Sequence, residues 1–156
     1  MARRAVAFGM NVLALDEWPV PPSDGVREVW GRDRLTDLLA ASDVVAVGCP
    51  LTATTRNLFN DTTFSQMKRG AFIVNVTRGE IIDGDALVRA LKDGRCGGAG
   101  LDVAPLEPLP ADHPLWALEN VVMTPHTAGA SQLRAPRNLE RFCENLRRVR
   151  TGEPLV

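Results

Sequence analysis

The chain reads as an α/β domain built on a doubly wound, mostly parallel sheet. Three observations predict it. Apolar runs of strand length alternate with amphipathic stretches of helix length along the 156 residues, which is the pattern of βαβ crossovers. The runs are continuously apolar, as strands buried on both faces are. Polar and charged residues come directly after several runs, and the ligand crevice of an open parallel sheet lies just past the strand ends.

The elements run in order. Residues 11–16 (Asn-Val-Leu-Ala-Leu-Asp) read as a strand ending in an acid. Trp18-Pro19-Val20-Pro21-Pro22 is a loop, because prolines stop regular pairing. Residues 26–30 form a short edge strand. Residues 34–41 carry Leu35, Leu38 and Leu39 at helical spacing. Residues 43–47 are a buried strand, and Cys49-Pro50-Leu51-Thr52 turns off its end. A short helix over 61–68 is closed by Gly70. Residues 71–76 are another buried strand. Asp83 opens a helix that runs to Lys92, with Gly94 at its end. Residues 97–103 and 121–124 are strands, and 130–150 is a final helix with Pro136 near its start. The segment from Pro105 to Pro110 opens the longest irregular stretch, and a long ordered loop in such a domain is more often functional than accidental. The chain reads as one domain without an internal linker.

Composition narrows the function classes. A net charge of -1 gives no electrostatic case for nucleic acid or an anionic membrane. No apolar run approaches the roughly 20 residues that span a bilayer. The opening Met1-Ala2-Arg3-Arg4 lacks the apolar core of a signal peptide. Cys49, Cys96 and Cys143 are odd in number and far apart, which argues against a disulfide framework or zinc site and for a reducing cytoplasm. His113 and His126 have no metal-ligand spacing, so no metal is expected.

Three residues from the middle of the chain onward carry the chemistry. Arg78 stands in Asn75-Val76-Thr77-Arg78-Gly79, Glu107 comes after Leu101-Asp102-Val103, and His126 lies in Thr124-Pro125-His126-Thr127-Ala128-Gly129. Each comes shortly after a strand. Arginine offers a planar two-pronged donor set for a carboxylate. Histidine exchanges protons near neutral pH, and a neighbouring glutamate favours its charged form. Asp16, at the end of the first strand, suits ribose hydroxyls. With Glu17 beside it, two negative charges disfavour a 2′-phosphate, so NAD is expected over NADP. Taken singly, each residue is more often structural, and His113 reads that way. Cys49 reads as a wall residue, since a nucleophile needs a base nearby.

Taken in order, the segments around Cys49-Pro50, Arg78, Asp102 with Glu107, and His126 closely resemble the D-isomer-specific 2-hydroxyacid dehydrogenases, a family that includes phosphoglycerate, glyoxylate/hydroxypyruvate and D-lactate dehydrogenases. The resemblance spans nearly the whole chain. It implies a Rossmann-like fold and NAD-dependent interconversion of a D-2-hydroxyacid and a 2-oxoacid by hydride transfer. Arg78 would bind the substrate carboxylate, His126 would be the acid/base, and Glu107 would pair with it. Asp102 and Gly129 would serve the nicotinamide carboxamide. Cys49, Pro50 and Thr55 would border the adenosine side, Val76 and Thr77 the nicotinamide side, and Asp16 the ribose. The resemblance also implies a cytoplasmic homodimer with a small-molecule substrate.

Departures are informative too. The opening Ala2-Arg3-Arg4-Ala5-Val6-Ala7-Phe8-Gly9-Met10 looks like the end of the helix that comes after the family's Gly-x-Gly-x-x-Gly loop. The first strand, the Gly-rich loop and the substrate-binding domain are therefore expected to be absent. Residues 1–156 read as a partial NAD-binding domain, inactive in isolation, with the missing strand falling between residues 11–16 and 43–47. Two other classes stay open: a non-enzymatic, NAD-sensing corepressor-like module, and an inactive remnant.

Overall fold

The computed structural model describes residues 1–156. It opens with helix α1 (Ala2–Ala7), then strands β1 (Ala14–Leu15) and β2 (Val29–Trp30). Helix α2 (Leu35–Ala41) leads into β3 (Val44–Val47), α3 (Asp61–Gln66) and β4 (Ala71–Asn75). Helix α4 (Gly84–Lys92), strands β5 (Cys96–Leu101) and β6 (Val121–Met123), and helix α5 (Arg134–Thr151) complete the order. Short 3-10 turns at Arg32–Arg34, Gly79–Ile81 and Pro114–Ala117 join these elements.

All strand pairing is parallel, in two sheets: β1 with β2, and β3-β4-β5-β6 in chain order. The α/β class read from the residues is therefore the class observed. β1 and β3 lie in different sheets. β1 is shorter than the run over 11–16 suggested. It pairs on only two rungs, Ala14 with Val29 and Leu15 with Trp30, and Asp16 adds a backbone bond to Trp30.

Local signals explain the helices. Asn60 caps α3 by accepting from Thr62 and Thr63, and the Thr63 hydroxyl accepts from the Asn60 N–H in return. Asp83 caps α4 through the Ala86 N–H at 2.9 Å. Gly94, at φ 68, ends α4 in the left-handed region that suits glycine. Helix α4 buries Ala86, Leu87, Ala90 and Leu91, one face of the helix. These pack with Leu39, Ile73, Ile81, Cys96 and Leu115 in a single core. That core anchors β4 and β5, the strands that carry the site.

The chain forms two compact units, Met1–His126 and Thr127–Val156. In the second, residues 127–133 form turns: Ala130 N–H bonds Thr127 O, and the Ser131 hydroxyl accepts from the Leu133 N–H. The final helix thus starts at Arg134 rather than 130. At its far end, Arg147 bridges Glu144 and Glu153 while Arg148 also bonds Glu144. The two arginines hold the Glu144 carboxyl down to about 2.

Candidate active site

One rung of the four-stranded sheet places the site. Val47 pairs with Asn75, Asn75 with Leu101, and Leu101 with Met123, so a single row of residues crosses all four strands. Parallel strands all point the same way, and the loops leaving this row collect at one edge. Cys49, Arg78, Asp102, Glu107 and His126 all come within six residues after it.

The His126 arm is built by hydrogen bonds. The Asp102 N–H extends the ladder to Asn75 O at 2.9 Å, and the Thr124 N–H to Leu101 O at 2.9 Å. Asp102 is buried, and its Oδ1 accepts from the Thr124 hydroxyl at 2.5 Å. Two residues on, His126 takes a φ of 55, a left-handed conformation that histidine adopts more readily than most residues. Its Nδ1 stands 2.7 Å from Glu107 Oε2, and Glu107 Oε1 accepts from the Ala104 N–H at 2.9 Å. The Glu107 carboxyl lies below its ordinary range, chiefly because His126 bonds to it, with the Ala104 N–H adding to the effect against partial desolvation. With Nδ1 committed to Glu107, Nε2 is the ring nitrogen left for a reactant. Both side chains keep solvent access, 47% for His126 and 40% for Glu107, so protons can be exchanged with water.

The Arg78 arm is held against the Glu107 arm by backbone. Gly79 is buried, and a Cβ placed on it would lie 1.6 Å from Ala104 O. No side chain fits there, so the loops bearing Arg78 and Glu107 touch main chain to main chain. Arg78 itself is exposed and rests Nη1 on Thr77 O at 2.7 Å. Beneath it, the fully buried Asn75 side chain bonds the Thr77 N–H, the Thr77 hydroxyl and Arg78 O.

The remaining expected residues stand as follows. Cys49 is half-buried, and burial pushes its thiol up, so it stays protonated at neutral pH and is a poor nucleophile. Thr55 is buried and donates its hydroxyl to Pro50 O at 2.7 Å while accepting from the Thr52 N–H, which staples the turn after β3. Val76 is exposed and Thr77 half-buried beside Arg78. Asp16 is exposed just past β1, one oxygen accepting from the Trp18 N–H at 3.0 Å. Gly129 lies in the second unit. His113 accepts the Leu115 N–H through Nδ1 and caps a 3-10 turn, the structural part expected of it. Asn75 and Thr124 stand inside the sequence motifs, yet their tasks emerge only from the structure. The signal available for both was a polar residue closing or ending an apolar run.

An edge of this kind, with a carboxylate and a histidine paired past the strand ends, suits a nucleotide-binding domain of the dehydrogenase class. Comparison with known proteins narrows the class. Residues 1–128 match the NAD binding domain of the D-isomer specific 2-hydroxyacid dehydrogenases, and the chain belongs to that family. A glyoxylate reductase of Korarchaeum cryptofilum is 43% identical over 155 residues, which are 98% of this chain and 46% of the relative. A D-isomer specific 2-hydroxyacid dehydrogenase of Xanthobacter autotrophicus Py2, solved with NADPH and MES, superposes with a TM-score of 0.87 at 37% identity, covering 99% of this chain and 63% of that one. An NADPH-dependent glyoxylate/hydroxypyruvate reductase of Sinorhizobium meliloti, solved with NADP and sulfate, gives a TM-score of 0.85 at 30% identity, covering 99% and 49%. The chain thus spans about half the length of the curated relatives it matches.

Proposed function

We propose that this chain is the NAD-binding part of an oxidoreductase that interconverts a small D-2-hydroxyacid and its 2-oxoacid. The observation that carries the reading is the His126–Glu107 pair at 2.7 Å, rising from the same sheet edge as Arg78. Two acids fit a dinucleotide chemically: Asp102, at that edge, is an acceptor for an amide, and Asp16, just past β1, an acceptor for ribose hydroxyls. Cys49, Pro50 and Thr55 serve the adenosine side in this reading, and Val76 and Thr77 the nicotinamide side. A bound nicotinamide supplies or takes the hydride.

The chain's own residues do the rest. Arg78 grips the substrate carboxylate and draws charge toward the carbonyl oxygen. His126, protonated, gives its Nε2 proton to that oxygen during reduction and takes it back during oxidation. Glu107 favours the imidazolium and fixes which nitrogen faces the substrate. Relatives at 37% and 30% identity are solved with NADPH or NADP. Asp16 and Glu17 support NAD over NADP in this reading, because two carboxylates repel a 2′-phosphate. Three free cysteines far apart support a reducing cytoplasm. No helix is long and apolar enough to cross a membrane. A homodimer is the assembly that the family resemblance implies.

The test is a chimera. The matching 155 residues of the Korarchaeum cryptofilum enzyme are replaced by this chain, and oxidation of NADH is measured with glyoxylate and other small 2-oxoacids. Turnover is expected, falling by roughly 10²–10⁴-fold in His126→Ala. A folded chimera that binds NADH but reduces no 2-oxoacid would refute the reading and favour a sensing module.

A further inference from the structure

Asn75 is out of place for a strand residue. It belongs to the row Val47, Asn75, Leu101, Met123, whose other members are apolar. Its relative exposure is 0%, the same as Ile73 two residues earlier in the strand. A polar side chain sealed so completely must find all its partners within the protein. Packing alone would be served at least as well by valine or isoleucine.

The amide spends its bonds on one short segment. Oδ1 accepts from the Thr77 N–H at 3.0 Å and from the Thr77 hydroxyl at 3.0 Å. Nδ2 donates to Arg78 O at 2.9 Å. Both ends of the side chain therefore seize the segment just past β4, and none of these three bonds goes to a neighbouring strand. On the other side of Arg78, Gly79 is pressed against Ala104 O. The Arg78 backbone is thus gripped from below by Asn75 and from beyond by the Glu107 loop. The guanidinium itself is exposed and held only by its local bond to Thr77 O.

We propose that Asn75 is a positioning residue for Arg78: its buried amide sets the turn from which the guanidinium reaches a substrate carboxylate. This rests on the proposed dehydrogenase function. It makes a separable claim, because the Asn75 side chain bonds only the anion-binding arm; its contact with the other arm is the backbone carbonyl that Asp102 bonds, which a side-chain substitution keeps. Loss of the amide should loosen the turn and weaken carboxylate binding while leaving the acid/base pair as it was. Misplacing a clamp by about 1 Å is enough to cost one to two orders of magnitude.

The experiment uses the whole 156-residue chain, isotopically labelled, and oxamate as the probe, a stable 2-oxoacid mimic. NMR tracks the Arg78 Nε–Hε resonance through an oxamate titration and the Glu107 side-chain carbon through a pH titration. Asn75→Leu fills nearly the same volume without the three bonds. Oxamate should bind it about tenfold or more weakly, while Glu107 keeps its lowered titration. Thr77→Val removes only the hydroxyl bond and should give a smaller loss in the same direction. It also carries the test if Asn75→Leu fails to fold. Oxamate affinity unchanged in both variants overturns the proposal, as does a Glu107 titration that moves together with the affinity, since that is general loosening. If oxamate leaves Arg78 undisturbed in the unmodified chain, this inference falls, while the functional reading is decided separately by turnover of the chimera.

Discussion

Gly79→Ala tests the central geometric claim, that the two arms of the site meet through bare backbone. The added methyl would sit 1.6 Å from Ala104 O, 2.2 Å from Ala104 C and 2.9 Å from Pro105 N. An ordinary contact between carbon and oxygen is about 3.4 Å, so the loops must part by nearly 2 Å, and no side-chain rotation relieves main-chain atoms. Gly79 does not occupy the left-handed region, so alanine is acceptable there on backbone grounds. Reducing unfolded-chain entropy would even favour it by about 0.4–1 kcal/mol. Overpacking costs about 1–3 kcal/mol and sometimes more. The steric term wins, and a net loss of about 1–2 kcal/mol is expected, or roughly 2–4 °C in Tm per kcal/mol for a chain of this size. Ala104 also donates to Glu107, so displacing it should let the Glu107 carboxyl climb back toward its ordinary range. The assay is thermal melting together with an NMR titration of Glu107. Gly48→Ala is the control, because a Cβ there meets nothing within 4 Å, and it should be neutral or slightly stabilising. A Gly79→Ala chain that melts no lower than the wild type, with Glu107 titrating as before, would refute the contact.

Leu87→Ala empties a fully buried position at the centre of α4 and should cost about 2–5 kcal/mol in urea unfolding; a loss below about 1 kcal/mol would mean that the core assigned around α4 is wrong. Glu107→Gln should destabilise the chain only away from acid. Because the folded Glu107 carboxyl lies below its ordinary value, its contribution is present above about pH 4.3 and fades as the pH drops through the lowered folded value. The pair is nearly half exposed, so screening holds the effect to under about 1 kcal/mol, and a difference between wild type and variant that persisted at the acid end would contradict the linkage. In the chimera, NADH should outperform NADPH by roughly tenfold in kcat/KM, about 1.4 kcal/mol. Asp16→Ala should narrow that ratio, and equal use of both cofactors by the parent chimera would remove Asp16 from the ribose site.

The order of residues was enough to dictate the α/β class, the succession of elements and which side chains are proposed for the site. Those depend on local rules. Continuous apolar runs such as 44–47 and 71–74 form strands, though each buries only one face where burial on both was expected, with Val44 and Phe72 exposed, and Asp83 caps the helix beginning at Gly84. An arginine, a glutamate and a histidine keep their chemistry wherever they stand. Lengths were less legible. The run over 11–16 became a two-residue strand because strand length is set by the partner's pairing rungs and not by the run alone. How the site is held came from tertiary packing. That Val47, Asn75, Leu101 and Met123 share one row is a matter of register between segments up to 76 residues apart, which no local pattern encodes. The same holds for Gly79 against Ala104, for the Thr124 hydroxyl on Asp102, and for the amide of Asn75 turned back onto Thr77 and Arg78. Each is a contact whose worth depends on burial, and burial exists only once the strands have come together.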